Sequence, residues 1–284
     1  MLDSGQRKEI DEIITKYELE PSLEKEIYIE GSTDKALVDW FLKKSNITNI
    51  SVLEISTVNV EKEKVLSMGL DDNNRNRLVC LSHLVEVGII CIIDSDFDFL
   101  ETPPYQNNNL ISTDYSSMEI YGFNKEILEK ILLGYPAKKP KDFQVFKTMI
   151  GTILLEIFLI RYTKSKIKKE LKHIHKINKD LKIKSNNIIF DRDNYLKKYV
   201  KNNKQLIEKF NNFISSKKEN LPNEIRKIIH GHDFIYLLGY YLGITDEKPR
   251  ETFQKSFYSA LEYDMLKEEN MFKTLVSKLS SHSN

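Results

Sequence analysis

Apolar and polar positions follow two different periods along the first 135 residues, and the change of period separates strands from helices. Short β-branched or apolar runs stop abruptly at Glu30 and Asp94, as buried strands do. The run at residues 88–93 is apolar throughout, which predicts burial on both faces near the centre of a parallel sheet. The predicted strands are residues 26–30, 50–55, 88–93 and 110–113, and the predicted helices are residues 6–17, 34–44, 75–87 and 124–133.

The pattern changes after the segment 134–140, in which Gly134, Pro136 and Pro140 interrupt any regular element. Beyond it, apolar positions recur at steps of three and four, which favours helices. We therefore predict an α/β domain, a parallel sheet flanked by helices, over residues 1–135, and a largely α-helical domain over residues 136–284. The predicted helices of the second half are residues 142–184, 193–215, 223–242 and 250–279.

Composition is that of a globular protein, with 40% hydrophobic and 30% charged residues. The longest apolar run, residues 150–160, contains Glu156 and is shorter than the roughly 20 residues that cross a bilayer. Two cysteines cannot build a disulfide framework, and no secretory signal opens the chain. These features predict a cytoplasmic protein with no membrane association.

Basic residues are concentrated in one region although the net charge is only +1. Residues 161–220 hold 18 Lys and Arg against 6 Asp and Glu. Such an excess suits phosphate contacts with nucleic acid, and it also suits a solvated helix face. The candidates for nucleic-acid contacts recur at helical spacing and are Arg161, Lys164, Lys168 and Lys172.

Three carboxylates end predicted strands: Glu30 after the first, and Asp94 and Asp96 after the third. In an open parallel sheet, ligands bind beyond the carboxyl ends of the strands, and alternation along a strand would turn Asp94 and Asp96 to the same side. Clustered carboxylates repel each other unless a cation neutralises them, and oxygen ligands select Mg²⁺ or Mn²⁺. Asp34, one helical turn beyond Glu30, is predicted to reach the same metal site.

Other interpretations of these acidic and histidine residues are weaker. A calcium-binding loop that starts at Asp94 would need Gly and Glu where the chain has Phe99 and Tyr105. Phosphatases of the haloacid-dehalogenase type carry their D-x-D after the first strand rather than the third. His230 and His232 lie two residues apart and would not share a helix face, so we interpret the segment 230–233 as structural, with Asp233 capping a helix.

The segments IYIEGSTDKALVDWFL and GIICIIDSDFD resemble a Toprim domain, the metal-binding α/β fold of topoisomerases, primases and certain nucleases. STDYSSMEIYG and HGHDFIYLLGYYL resemble a bacterial Toprim-like family that includes the effector nuclease of the PARIS phage-defence system. The resemblance implies metal binding and catalysis by Glu30, Asp94 and Asp96. It adds Asp34 and Glu119 as further metal ligands.

What the resemblance implies is a toxic endonuclease that hydrolyses phosphodiester bonds with Mg²⁺ or Mn²⁺, in a two-ion arrangement. Its expected substrate is tRNA rather than DNA, its expected partner is an ATPase that holds it inactive, and its active form is expected to be a homodimer. The chain has no phosphate-binding loop of its own, so ATP dependence would come from that partner. The alternatives are a Toprim DNA nuclease of the overcoming-lysogenization type and a Toprim-like sensor or adaptor without activity.

Overall fold

The computed structural model describes residues 7–20, 25–101, 103, 105–168, 170–171, 174, 177–184 and 187–280. In chain order its strands and helices are β1 (Lys8–Glu9), α1 (Ile10–Leu19), β2 (Glu26–Ile29), α2 (Ser32–Lys44), β3 (Ser51–Glu54), β4 (Val58–Asn59), α3 (Lys62–Ser67), α4 (Asn74–Leu84), β5 (Ile89–Ile93), β6 (Leu110–Ser112), α5 (Lys125–Leu132), α6 (Phe143–Ile167), β7 (Leu181–Lys184), β8 (Asn187–Phe190), α7 (Arg192–Tyr199), α8 (Lys204–Lys218), α9 (Gly231–Leu242), α10 (Glu247–Ala260), α11 (Tyr263–Leu266) and α12 (Asn270–Ser280).

Four strands form a parallel sheet in the spatial order β3-β2-β5-β6. Ile27 of β2 pairs with Val52 of β3 on one side and with Ile90 of β5 on the other. All four predicted strands are present, each one or two residues shorter than predicted. The predicted α/β class, with a parallel sheet flanked by helices, is confirmed.

Both faces of the central strands are buried. Helices α1 and α4 pack on the face that carries Tyr28 and Cys91. The alternate positions Ile27, Ile90 and Ile92 face the other way and are equally buried. The apolar run of β5 therefore lies where its pattern predicts, between two neighbouring strands and covered on both sides.

The chain divides into two compact units, and neither is continuous in sequence. The first comprises Met1–Ser95, Thr102–Asp114 and Glu262–Asn284, and the second comprises Asp96–Glu101 and Tyr115–Leu261. The predicted division at residues 135/136 falls inside the second unit. The parallel sheet belongs to the first unit, and α5 to α10 belong to the second.

The prediction of a helix over residues 142–184 is wrong beyond residue 167. Helix α6 ends at Ile167, and β7 pairs with β8 as an antiparallel ladder in which Leu181 lies opposite Phe190. Burial alternates only in β8, where the buried Ile188 lies between the exposed residues Asn187 and Ile189. The predicted helix over residues 193–215 is also two helices, α7 and α8.

Among the described residues, α6 is the one helix that is long and apolar enough to span a membrane by length and composition. Half of its most apolar window is buried inside the structure. Core helices of soluble proteins have the same length and composition, so α6 is weak evidence for a membrane span. Its buried face, with Leu154, Ile157 and Phe158, is that of a core helix.

Candidate functional site

The strand order creates a crevice between β2 and β5. From β2 the chain moves to one side to form β3, and from β5 it moves to the opposite side to form β6. Such a reversal leaves a gap beyond the carboxyl ends of the two central strands, where open α/β sheets bind ligands. Glu30 directly follows β2, and Asp94 directly follows β5.

The structure brings Glu30 and Asp94 together, as the sequence predicts. The backbone N–H of Asp94 donates a hydrogen bond of 3.1 Å to Oε1 of Glu30. This bond ties the carboxylate of Glu30 to the end of the neighbouring strand. Both residues are partly buried.

The first turn of α4 holds both strand ends in place. Nδ2 of Asn74 donates to the carbonyl oxygen of Glu30 at 3.2 Å, and Nε of Arg75 donates to the carbonyl oxygen of Asp94 at 2.8 Å. Nη1 of Arg75 also donates to the hydroxyl of Tyr105 at 2.7 Å. The guanidinium group is thus fixed beside the two acidic residues. Arg75 could not be predicted from the sequence, because nothing in the pattern around it shows that α4 begins at these strand ends.

Asp34 lies in the first turn of α2, whose N-cap residue is Gly31. A Cβ atom built on Gly31 would lie 3.8 Å from Oδ2 of Asp34. The carboxylate therefore turns back toward the residue that follows Glu30, where the positive end of the helix dipole also favours it. This placement agrees with the predicted approach of Asp34 to the strand end.

Asp96 lies in the second unit, and the strand alternation used to orient it does not apply. Strand β5 ends at Ile93, and Asp96 has a left-handed backbone conformation with a φ of 43°. Its N–H donates to the carbonyl oxygen of Ser116 at 2.8 Å. Oδ1 of Asp96 lies 3.6 Å from Nε2 of His230.

Glu119 is buried, with 4% of its surface exposed, in a 3-10 helix over Met118–Gly122. Its Oε1 accepts a hydrogen bond of 3.2 Å from Nε2 of Gln254 and lies 3.3 Å from Nδ1 of His232. The N–H of Gly231 donates to Oγ of Ser117 at 3.1 Å, and a Cβ atom on Gly231 would overlap the carboxylate of Glu119. Only glycine at this position lets the start of α9 approach Glu119 so closely.

The prediction that Asp233 caps a helix is wrong, although the residue lies in the first turn of α9. Helix α9 begins at Gly231 and its N-cap is His230, which has extended backbone angles. His230 is therefore outside the helix, and the argument from helix faces does not apply to it. The rings of His230 and His232 lie 5.6 Å apart, and each faces a predicted metal ligand, Asp96 or Glu119. Asp233 does not cap the helix but pairs with Arg161.

The predicted basic face for nucleic acid is also altered. Arg161 is buried, with 7% of its surface exposed, and its Nη2 lies 2.6 Å from Oδ1 of Asp233. Lys164 remains partly exposed on α6, whereas Lys168 follows the end of that helix. Lys172 lies outside the described residues. The predicted helix face is therefore not formed, because Arg161 is in a buried ion pair and α6 ends before Lys168.

Burial has the largest effect on the pKa of Asp233. It raises the pKa of this carboxyl group to about 6, although the charges of Arg161 and His232 act in the opposite direction. Asp233, Arg161 and Lys164 line a cavity of about 430 Å³ together with Asp96 and the two histidines. All residues of this cavity belong to the second unit.

The residues at the strand ends fit a hard divalent cation. Glu30, Asp34 and Asp94 offer carboxylate oxygens, which Mg²⁺ and Mn²⁺ prefer. No group of three or more His, Cys, Asp or Glu side chains within the described ranges is arranged to hold a metal ion. Mg²⁺ is usually held by one or two carboxylates, with waters and substrate phosphates completing its shell. Glu30 and Asp94 supply two carboxylates at adjacent strand ends, which is the number that such a site needs.

No protein-family model matches the chain, and no curated protein matches it significantly.

Proposed function

We propose that this chain is a Mg²⁺-dependent nuclease of the Toprim type that hydrolyses phosphodiester bonds. The observation that carries the proposal is the hydrogen bond from the N–H of Asp94 to Oε1 of Glu30. It joins two acidic residues at the carboxyl ends of β2 and β5, where the strand order reverses. That position is the ligand-binding crevice of open α/β sheets.

In this proposal Glu30, Asp34 and Asp94 hold the cation. Asp96 and Glu119, which the resemblance also implies as ligands, belong to the second unit. The bound cation supplies positive charge for the phosphate oxygens and for a nucleophilic water. Arg75 fixes the end of β5 through the carbonyl oxygen of Asp94. Its guanidinium group, held by Tyr105, is also suited to a phosphate oxygen of the substrate.

The biological setting rests on the resemblance stated above. We propose tRNA as the substrate, phage defence as the role, an ATPase as the partner that holds the nuclease inactive, and a homodimer as the active form. The excess of basic residues between positions 161 and 220 supports a polyanionic substrate, since lysines bind phosphates without sequence preference.

Cleavage by purified protein tests the activity. Full-length protein is incubated with tRNA and with plasmid DNA, each with Mg²⁺, Mn²⁺ or EDTA. We expect Mg²⁺-dependent and Mn²⁺-dependent cleavage that Glu30→Gln reduces by at least about a hundredfold. Glu54→Gln is the matched control, because Glu54 is a partly exposed glutamate at the end of the adjacent strand β3.

Each outcome of that assay has a distinct meaning. Cleavage of tRNA alone supports the defence effector, and cleavage of DNA alone supports a nuclease of the overcoming-lysogenization type. Equal cleavage by wild type and Glu30→Gln would remove Glu30 from the reaction. Absence of cleavage of either substrate with either metal would leave the sensor or adaptor as the better account.

A further inference from the structure

Of the residues that line the cavity of about 430 Å³ in the second unit, only Asp96 is among the proposed metal ligands. The cavity has a volume in the range of small-molecule sites, about 300–1,000 Å³. It is lined by three cationic side chains, Arg161, Lys164 and Arg250, and by the aromatic rings of Phe97 and Tyr236. These residues come from α6, α9, α10 and the segment that follows β5.

A buried ion pair forms the inner wall of the cavity. Arg161 and Asp233 have side chains only 8% and 4% exposed, and they meet at 2.6 Å. Nε of Arg161 and Oδ2 of Asp233 have no hydrogen-bond partner among the residues described. Buried polar atoms in native proteins are nearly always partnered. Both atoms are inaccessible to solvent, so the ion pair supports the wall of the cavity and does not itself offer these two atoms to a ligand.

Arg250 and the aromatic rings of the lining are held by their neighbours. The guanidinium carbon of Arg250 lies 4.3 Å from the ring centroid of Tyr236, and Nη2 of Arg250 donates to the carbonyl oxygen of Thr245 at 2.9 Å. The ring of Phe97 is fixed by Phe158 and Tyr162, at centroid distances of 5.0 Å and 5.3 Å. Rigid aromatic rings and arginine planes stack on nucleobases, and lysine and arginine bind phosphates.

We propose that this cavity binds a nucleotide, with its phosphate at Lys164 and Arg250 and its base against Phe97. Two carboxylates, Asp96 and Asp233, also line the cavity, but Arg161 pairs with Asp233, and the three Arg and Lys side chains outnumber the two carboxylates even with both histidines neutral. Lys164 and Arg250 therefore give the rim its positive charge. The nucleotide is either a free mononucleotide or one unit of an RNA chain, since both present the same phosphate and base.

Binding to full-length protein in EDTA tests this proposal without any cleavage, so its result is separate from that of the nuclease assay. Calorimetry with AMP, adenosine and orthophosphate measures the free nucleotide and its two parts. Fluorescence anisotropy with a short labelled single-stranded RNA measures the polymer. We expect Lys164→Ala and Arg250→Ala each to weaken nucleotide binding by about tenfold or more, because each removes a charge-assisted contact.

The matched control is Lys166→Ala, which removes a lysine from the same helix outside the cavity lining. Its affinity should stay within about twofold of wild type, as for most surface substitutions. Orthophosphate should displace AMP from the wild-type protein, a readout that needs no variant. Binding of AMP identifies the free nucleotide as the source, and binding of RNA alone, lost in both variants, identifies the polymer.

Three results would overturn the proposal. The first is that wild-type protein binds neither AMP nor RNA. The second is that Lys164→Ala and Arg250→Ala bind as tightly as wild type, which would place the ligand elsewhere. The third is that adenosine binds as well as AMP and orthophosphate does not compete, which would remove the phosphate from the site.

Discussion

Glu26 is a buried glutamate of the first unit whose carboxylate accepts three side-chain hydrogen bonds. It opens β2 with 7% of its surface exposed. Nζ of Lys8 and Nζ of Lys16 each lie 2.8 Å from its Oε1, and the hydroxyl of Tyr28 donates to its Oε2 at 2.6 Å. Burial alone would raise the pKa of Glu26, but these three hydrogen bonds outweigh it and lower the pKa to about 2.

Substitution of Glu26 by Gln should destabilise the fold at neutral pH and have less effect in acid. A lowered folded-state pKa stabilises the fold above the unfolded value of 4.5, and this contribution is lost as pH falls toward 2. We expect the variant to lose about 2 kcal/mol at pH 7, after allowing for solvent screening at the half-exposed lysines. Urea unfolding of both proteins across this pH range measures the difference. A difference that stays constant with pH would contradict the assigned ion pairs.

At the same scale, the sequence predicts some site residues and not others. Glu30 and Asp94 could be predicted because each directly follows an apolar strand, and parallel strands bring their carboxyl ends to one edge. Arg75 could not, since its role depends on where α4 begins relative to two distant strand ends. His230 could not either, because its distance from Asp96 follows from tertiary packing.

At the scale of elements, the packing of α1 against the start of β5 requires glycine at position 88. This glycine precedes β5 with a φ of 81°, and a Cβ atom there would overlap the ring of Tyr17, which is buried in α1. The absence of a side chain lets the aromatic ring lie against the backbone where the central strand starts. The N–H of Glu26 donates to the carbonyl oxygen of Gly88 at 3.0 Å, so β2 is aligned by the same residue.

Alanine at position 88 should therefore destabilise the first unit by about 3 kcal/mol, from backbone strain plus overpacking against Tyr17. Gly69→Ala is the matched control, because Gly69 has a similar φ of 74° but a Cβ atom there would have no neighbouring atom within 4 Å. It should cost only the backbone strain, about 1 kcal/mol. Chemical denaturation of the two variants and wild type gives both values. Equal losses would show that the Tyr17 contact contributes nothing.

The β7–β8 hairpin shows where element prediction fails. Only the four residues of β8, 187–190, alternate in burial, whereas Lys182, Ile183 and Lys184 of β7 are all exposed. So short a pattern is difficult to distinguish from the strong helical periodicity of α6, which precedes it in the chain. By contrast, β2 and β5 are apolar and end at charged residues, which makes them recognisable from sequence alone.

For the whole molecule, the sequence predicts the fold class but not the way the chain is divided. The shift to helical periodicity near residue 135 is a local signal, whereas the units are defined by contacts between distant segments. The C-terminal segment returns to the first unit, where Phe272 lies 4.4 Å from Phe41 between ring centroids. The N–H of Met271 donates to Oδ2 of Asp114 at 2.9 Å. No periodicity in the sequence indicates this return.

Metal binding at the ends of β2 and β5 is the central claim, and titration of Mn²⁺ into full-length protein, followed by electron paramagnetic resonance, tests it most directly. We expect wild type to bind Mn²⁺, and Glu30→Gln and Asp94→Asn each to weaken that binding by about tenfold or more, because each removes a charged ligand. Glu54→Gln should bind as wild type does. Equal Mn²⁺ affinity in all four proteins, or no binding by wild type, would contradict the account.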